Sequence, residues 1–510
     1  MKTILEYLEQ TEKNYPDSTA VEDLEGTMTW SQLSRLSRQM GTAFAARTKR
    51  GRPAVILAEK SRTVLAAMLG VVYAGCFYVM ADPSLPAARI REILHILEPE
   101  LVVTEEKHMP LLQETGFSGR ICLLKEAGRE NADPELLGKI REQSRDTDLL
   151  YGIFTSGSTG TPKGIVVSHR AAGDFIFHFT ETFGFTEKDR IGNQAPFDFD
   201  VSVKDIYTCV MTGAALVIIP RSLFSSPPLL LDYLCEREIT TLIWAVSALT
   251  LVSSLKGLRY RIPEKVKRIL FSGEVMPARQ LALWREALPK TEFVNLYGPT
   301  EITCNCTYYR IGKNFQEKDK LPVGRPFPGR KVFLLDEKGR EISEPEKTGE
   351  ICVTGESLAE GYYRNPEETG KRFIQYSFEG GSRQRCYCTG DLGYWGADGE
   401  LYFSGRKDFQ VKHMGHRIEL EEIERALEQI PGLERSCCIL DTRRNQLAAF
   451  YLGEAFPEEI RREMKRKLPV YMIPHRLFQV SSMPLNKNGK TDRSYFRKLL
   501  EEGKACVQKD

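Results

Sequence analysis

Between Tyr151 and Gly164 the chain reads YGIFTSGSTGTPKG, a short apolar run that empties into loop chemistry. Glycine frees the backbone there, hydroxyls supply donors, and Lys163 adds a cation, which is what a loop needs to wrap phosphate oxygens with N–H groups. The residues concerned are Thr155, Ser156, Gly157, Ser158, Thr159, Gly160 and Lys163. This is not the Walker pattern, because Gly160 is not followed by Lys and then Ser or Thr. A Gly/Ser/Thr-rich stretch is in general an ordinary flexible loop. Order argues for more: Leu149 to Phe154 reads as a buried strand, Ile165 to Val167 restarts a strand after the lysine, and Ser168 is placed to cap a helix starting near Arg170.

Five further motifs follow: FDVS at Phe199–Ser202, YGPTE at Tyr297–Glu301, YCTGD at Tyr387–Asp391, GRKDFQVKHMGHRIE at Gly405–Glu419, and PLNKNGK ending at Lys490. Singly, each has a plain reading: a lone Glu is solvated surface, a lone Tyr is core, an exposed Lys does nothing specific. In this order, over essentially the whole chain, the set resembles the adenylate-forming superfamily of acyl-CoA synthetases, luciferase-like enzymes and amino-acid adenylation domains. That resemblance implies ATP and Mg2+ as cofactors. It implies that Asn295 and Tyr297 lie against adenine beside Gly298, that Asp391 accepts both ribose hydroxyls with Arg406 helping, that Thr300 meets the α-phosphate, and that Glu301 ligates magnesium. Lys490 is the implied catalytic cation, bridging the substrate carboxylate and the α-phosphate. Asp408 is the implied hinge, about which a small domain turns so that Lys412, Met414 and Gly415 replace Lys490 for attack by a thiol. Cys388 departs from the Arg or Lys that usually precedes Thr-Gly-Asp.

The activated acid is expected to be an amino acid. Asp200 matches the aspartate that pairs with a substrate ammonium, against the alternative of a carboxylate capping the helix it precedes. FSGEVMP (Phe271–Pro277) and ELEEIE (Glu419–Glu424) resemble stand-alone D-alanine:D-alanyl-carrier-protein ligases, so D-alanine is the leading substrate, although Ser272 stands where those ligases have cysteine. The implied pocket comprises Asp200, Val201, Lys204, Ile243, Leu270, Ser272, Leu296, Cys304 and Asn305. Lys204 has two readings. Pointing inward, it calls for an acidic or carbonyl-bearing substrate side chain, because a buried ammonium needs a partner; pointing outward, or pairing with Asp205 or Asp198, it says nothing. With the chain ending soon after Lys490, the acceptor is expected in trans, a phosphopantetheinylated carrier protein. The alternatives are another, possibly acidic, amino acid in nonribosomal peptide synthesis, a coenzyme A ligase, or a silent homologue, which intact Lys490, Glu301 and Asp391 oppose.

Alternating strand and helix patterns must carry these groups. Ala54–Leu57, Leu101–Val103, Leu149–Phe154, Ala215–Ile219, Thr241–Trp244, Val266–Phe271 and Phe293–Leu296 read as buried strands with helices between, an α/β fold with parallel sheets. After Gly329 short strands and turns predict a β subdomain, and from Phe409 a small α+β domain, which the resemblance implies is mobile. The expected division is 1–407, binding ATP and substrate, and 408–510, carrying the lysine. At 510 residues the chain is too long for one ordinary core, and two or more domains are expected. The 71 basic against 69 acidic residues give no reason to expect nucleic acid. Glu6 and Glu9 interrupt any signal peptide, and Gly70 and Ala74-Gly75 break the uncharged run Val64–Ala81 into helix, turn and strand. A cytoplasmic protein without membrane insertion is expected, its cysteines reduced and mostly buried.

Overall fold

The computed structural model describes residues 2–157, 160–316, 319–381, 383–485 and 491–502. Among these, two large sheets form the body. One has seven strands in the order Gly361–Tyr362, Lys163–Ser168, Leu149–Thr155, Phe77–Ala81, Pro53–Leu57, Leu101–Thr104 and Arg120–Leu123. The other has nine, and its centre, Glu292–Tyr297, Arg268–Ser272, Thr241–Ala245, Arg190–Asn193, Ala215–Ile218 and Thr19–Asp23, is parallel throughout. Thr241–Ala245 is buried at every position, as a strand covered on both faces must be. The uncharged run resolves into the helix Arg62–Tyr73, a turn and the strand Phe77–Ala81. No helix among the described residues is long and apolar enough to cross a membrane.

The main core lies between the sheets. Helices His169–Phe183 and Val201–Thr212 are buried there against Leu150 and Ile165 of one sheet and Leu216 and Ile243 of the other. Tyr78 and Tyr207 join hydroxyls across it at 2.7 Å. Ser168 accepts the Ala171 N–H at the first helix's start, as its position predicts. One local departure matters for the site: Lys163–Ser168 runs antiparallel to Leu149–Thr155, with Thr155 opposite Lys163. The intervening loop is too short for a crossover, so it closes as a hairpin that brings its lysine back to its start.

The third sheet, built on Arg330–Leu335, Gly349–Gly355, Phe373–Ser377, Arg383–Trp395 and Leu401–Arg406, is antiparallel. Beyond it, the hairpin Gln410–His413 and His416–Glu419 leads into helix Leu420–Glu428 and a three-stranded sheet. These elements have their own apolar interior: Ile418, Ile423, Leu427, Ile460 and Met464 on one side, Phe450, Phe478 and Phe496 on the other.

Candidate functional site

The C-terminal ends of the central parallel strands open into one cavity, bounded on its far side by the Gln410–Glu419 hairpin. Glu292–Tyr297 delivers Asn295 and Tyr297 to it. The Tyr297 hydroxyl donates to Asp391 at 2.6 Å, and Asp391 also pairs with Arg406, whose guanidinium reaches on to Asp408 at 2.8 Å. The expected ribose group, its helper and the expected hinge residue thus form one chain of charge. Asn295 donates to the Pro322 carbonyl at 2.7 Å. Gly298 is required sterically, because a Cβ there would stand 2.5 Å from the Asn305 Cα. Across the cavity, Thr155 ends its strand and Ser156 and Gly157 begin the loop; a Cβ on Gly157 would meet the Thr161 carbonyl oxygen at 1.9 Å. Gly160 has φ +85° and Lys163 pairs with Glu368 at 2.6 Å. Ser158, Thr159 and Lys490 lie outside the described residues.

The groups expected at the α-phosphate and the metal already have protein partners. Thr300 donates its hydroxyl to Asp200 at 2.7 Å. Glu301 is fully buried and accepts from the Tyr362 hydroxyl at 2.7 Å and from Arg417 Nη1 at 2.7 and 2.8 Å. Burial pushes its carboxyl up, but Arg417 and Tyr362 outweigh burial and hold it at about 2.

Arg417 belongs to the hairpin, which is docked into the site along its length. The Gly415 N–H donates to Glu274 at 2.6 Å, and Lys412 lies close enough to Asp391 and Asp200 to feel both charges. Ser156 Oγ donates to the Arg417 carbonyl at 2.8 Å and accepts the Glu419 N–H at 3.0 Å. One turn on, Glu422 bridges Arg89 at 2.8 Å and the Gly157 N–H at 3.1 Å, with both charged side chains buried. His416 stacks on Tyr471 at 3.7 Å and meets Phe199 at 5.3 Å. Lys412, Met414 and Gly415 line the cavity in this arrangement.

At the substrate end, Asp200, Val201, Lys204, Ser272, Leu296, Cys304 and Asn305 line the cavity. Asp200 does not cap the helix it precedes: its side chain makes no capping bond and turns to Thr300 instead. Lys204 points inward. Its side chain is 1% exposed, and Nζ donates to Asn305 Oδ1 at 2.7 Å and to Ser272 Oγ at 3.3 Å. Burial lowers its pKa against the pull of Cys304, Asp200 and Asp205. Ile243 and Leu270 correct the expectation. Both sit two residues short of their strand ends, packed in the core behind the cavity, and neither lines it.

The profile of the AMP-binding enzymes matches residues 8–363. The chain belongs to that family. Tyrocidine synthase 1 of Brevibacillus parabrevis is 31% identical over 501 residues, 96% of this chain but 44% of that protein. An L-proline–[L-prolyl-carrier protein] ligase of Streptomyces coelicolor is 33% identical over 475 residues, 87% of each chain. The Vibrio cholerae adenylation domain AlmE, solved with glycyl-adenosine-5'-phosphate, shares the fold with a TM-score of 0.84 at 21% identity, covering 98% of each chain. The chain spans less than half the length of the peptide synthases first among its relatives.

Several residues of this AMP-binding enzyme's site were not legible in the sequence. Tyr362 sits in a two-residue edge strand, and Arg89 and Glu422 lie on helices rich in charge. Nothing separates Glu422 from its neighbours Glu421 and Glu424 until the helix is docked. Arg417 lies inside the Gly405–Glu419 motif, yet its pairing with Glu301 needs the fold. The donor set also bears on magnesium. No cluster of three or more His, Cys, Asp or Glu among the described residues is arranged to hold a metal. A single buried, ionised Glu301 fits an ion held chiefly by phosphate oxygens and water, in an arrangement where Arg417 has withdrawn.

Proposed function

We propose that this AMP-binding enzyme activates an amino acid as its aminoacyl adenylate, releasing pyrophosphate, and passes the aminoacyl group to the phosphopantetheine thiol of a carrier protein acting in trans. The substrate carboxylate attacks the α-phosphorus, and cations aimed at the accumulating negative charge lower the barrier. Lys490 is the residue assigned to that role, and Asp391 and Arg406 would hold the ribose. Magnesium, when bound, would neutralise phosphate charge beside Glu301. The relatives of similar extent support the carrier as acceptor, since one is a carrier-protein ligase.

The observation that carries the amino-acid reading is the pair of opposite charges lining one cavity, Asp200 and Lys204. Asp200, free of any capping duty, suits the α-ammonium. Lys204 has three donors and spends two of them on Asn305 and Ser272 among the described residues. The third favours a substrate side chain ending in a carboxylate or amide carbonyl. D-alanine, favoured by the FSGEVMP and ELEEIE motifs, is the second reading; its methyl group would leave that donor unmatched. The test is amino-acid-dependent exchange of labelled pyrophosphate into ATP, over both enantiomers of the common amino acids, with coenzyme A offered separately as acceptor. A peak at an acidic or amide amino acid, falling about 100-fold in kcat/KM in Lys204→Leu, is expected. A peak at D-alanine unaffected by that substitution would sink the side-chain assignment, and exchange with fatty or aryl acids alone would sink the amino-acid reading.

A further inference from the structure

The outer face of the third sheet holds a thiol pair that does not line the cavity. Cys352, in Gly349–Gly355, stands directly opposite Cys388, in Arg383–Trp395, in antiparallel register. Their sulfurs are 3.4 Å apart, with the Cys352 thiol donating to the Cys388 sulfur. Antiparallel partners have Cα atoms about 4.5 or 5.5 Å apart, and both spacings fall within the roughly 4.4–6.8 Å that a disulfide spans. The two thiols are unequal. Cys352 is fully buried, whereas Cys388 is partly exposed. The hydrogen bond from Cys352 favours the Cys388 thiolate, as do Arg372 and Lys407, against burial and Glu350. An accessible thiol favoured as thiolate, backed by a buried second thiol, is the arrangement of an attacking and a resolving cysteine. Cys386, the third thiol on this face, is opposite Thr354 and turns to the Gln384 carbonyl.

We propose that Cys388 and Cys352 form a thiol–disulfide pair oxidised by low-molecular-weight disulfides, and that closing it weakens nucleotide binding at Asp391. The Cys388 thiolate attacks one sulfur of R–S–S–R, forming Cys388–S–S–R and releasing RS⁻, which takes up a proton. Cys352, giving its proton to solvent, then attacks the Cys388 sulfur, and the second RS⁻ leaves and is protonated. Two protein thiols are oxidised and one small disulfide is reduced to two thiols. The link to the site is short. Thr389, next to Cys388, donates its hydroxyl to the carbonyl of Ile351, next to Cys352, at 2.8 Å, and the same hydroxyl accepts the Asp391 N–H at 2.9 Å. Drawing the sulfurs from 3.4 Å to about 2.05 Å moves the two strands that this hydroxyl joins, and with them the carboxylate held by Tyr297 and Arg406.

The experiment incubates the full chain with oxidised glutathione, maps peptides, and measures ATP affinity by calorimetry. Expected are a peptide crosslink between Cys352 and Cys388, an ATP Kd raised about fivefold or more, and recovery of both with dithiothreitol. Cys352→Ser should bind ATP normally when reduced and stop at the glutathione adduct on Cys388; Cys388→Ser should neither crosslink nor lose affinity. Absence of the crosslink in the wild type, or a crosslink that leaves the ATP Kd unchanged, overturns the proposal. The covalent readout does not depend on which acid is activated. Reduced protein that bound no ATP would overturn the functional assignment together with the coupling, whatever the peptide map showed.

Discussion

Glu301 presents both carboxylate oxygens to Arg417, and one of them also takes the Tyr362 hydroxyl. Its carboxyl is held at about 2 from an ordinary 4.5, so the contact stabilises the docked arrangement above pH 4.5 and the contribution is lost as pH falls through 2. The size is about 3 kcal/mol. In urea melts, the stability difference between the wild type and Glu301→Gln should hold steady from neutral pH to about pH 5 and shrink below that; a difference independent of pH would place the stabilisation elsewhere. Residue types alone made much of this scale readable. Asp200, Tyr297, Asp391 and Arg406 are legible because each sits in a short run of unusual neighbours, and the fold brings all four to one cavity. Lys204 was readable only as a choice, because the direction of a lysine on a helix is decided by what packs beside it. Here that is Ser272, at the end of Arg268–Ser272, and Asn305, in the loop before Thr307–Arg310.

Elements decide the arrangement in which the site is held. Helix Leu420–Glu428 brings Glu422 against Arg89 and the Gly157 N–H, while the hairpin before it seats Gly415 on Glu274 and Arg417 on Glu301. A buried ion pair stripped of one charge costs several kcal/mol, because the survivor stays desolvated. Glu422→Gln should therefore slow aminoacyl transfer to the carrier thiol by about tenfold or more, while pyrophosphate exchange is not slowed. Adding Arg89→Gln to the same chain should restore part of the loss. Equal losses in both half-reactions would show that the pair supports the fold generally. Strand and helix order was largely legible from apolar runs and glycine breaks, as Arg62–Tyr73 and Phe77–Ala81 show. What periodicity could not supply was the antiparallel turn of Lys163–Ser168, which follows from loop length, nor the truncated start of the strand at Arg268, which follows from pairing.

At the scale of the molecule, residues beyond Asp408 have their own apolar interior and meet the rest through polar and charged contacts such as Arg89–Glu422 and Ser156 with Glu419. The Glu422 oxygen on the Gly157 N–H has a consequence for nucleotide affinity. A carboxylate on the same chain is a competitor that never diffuses away, present at an effective concentration on the order of millimolar. If the loop holds the phosphates of ATP, ATP has to displace it, and the measured affinity is then the intrinsic one reduced by the fraction of molecules with the loop free. A chain ending at Lys407 should bind ATP more tightly than the whole protein, even though it has lost every residue assigned to catalysis beyond that point. Equal or weaker binding would mean that the tethered carboxylate yields without cost. If the gain is found, the enzyme's grip on ATP is limited by its tether rather than by its nucleotide site.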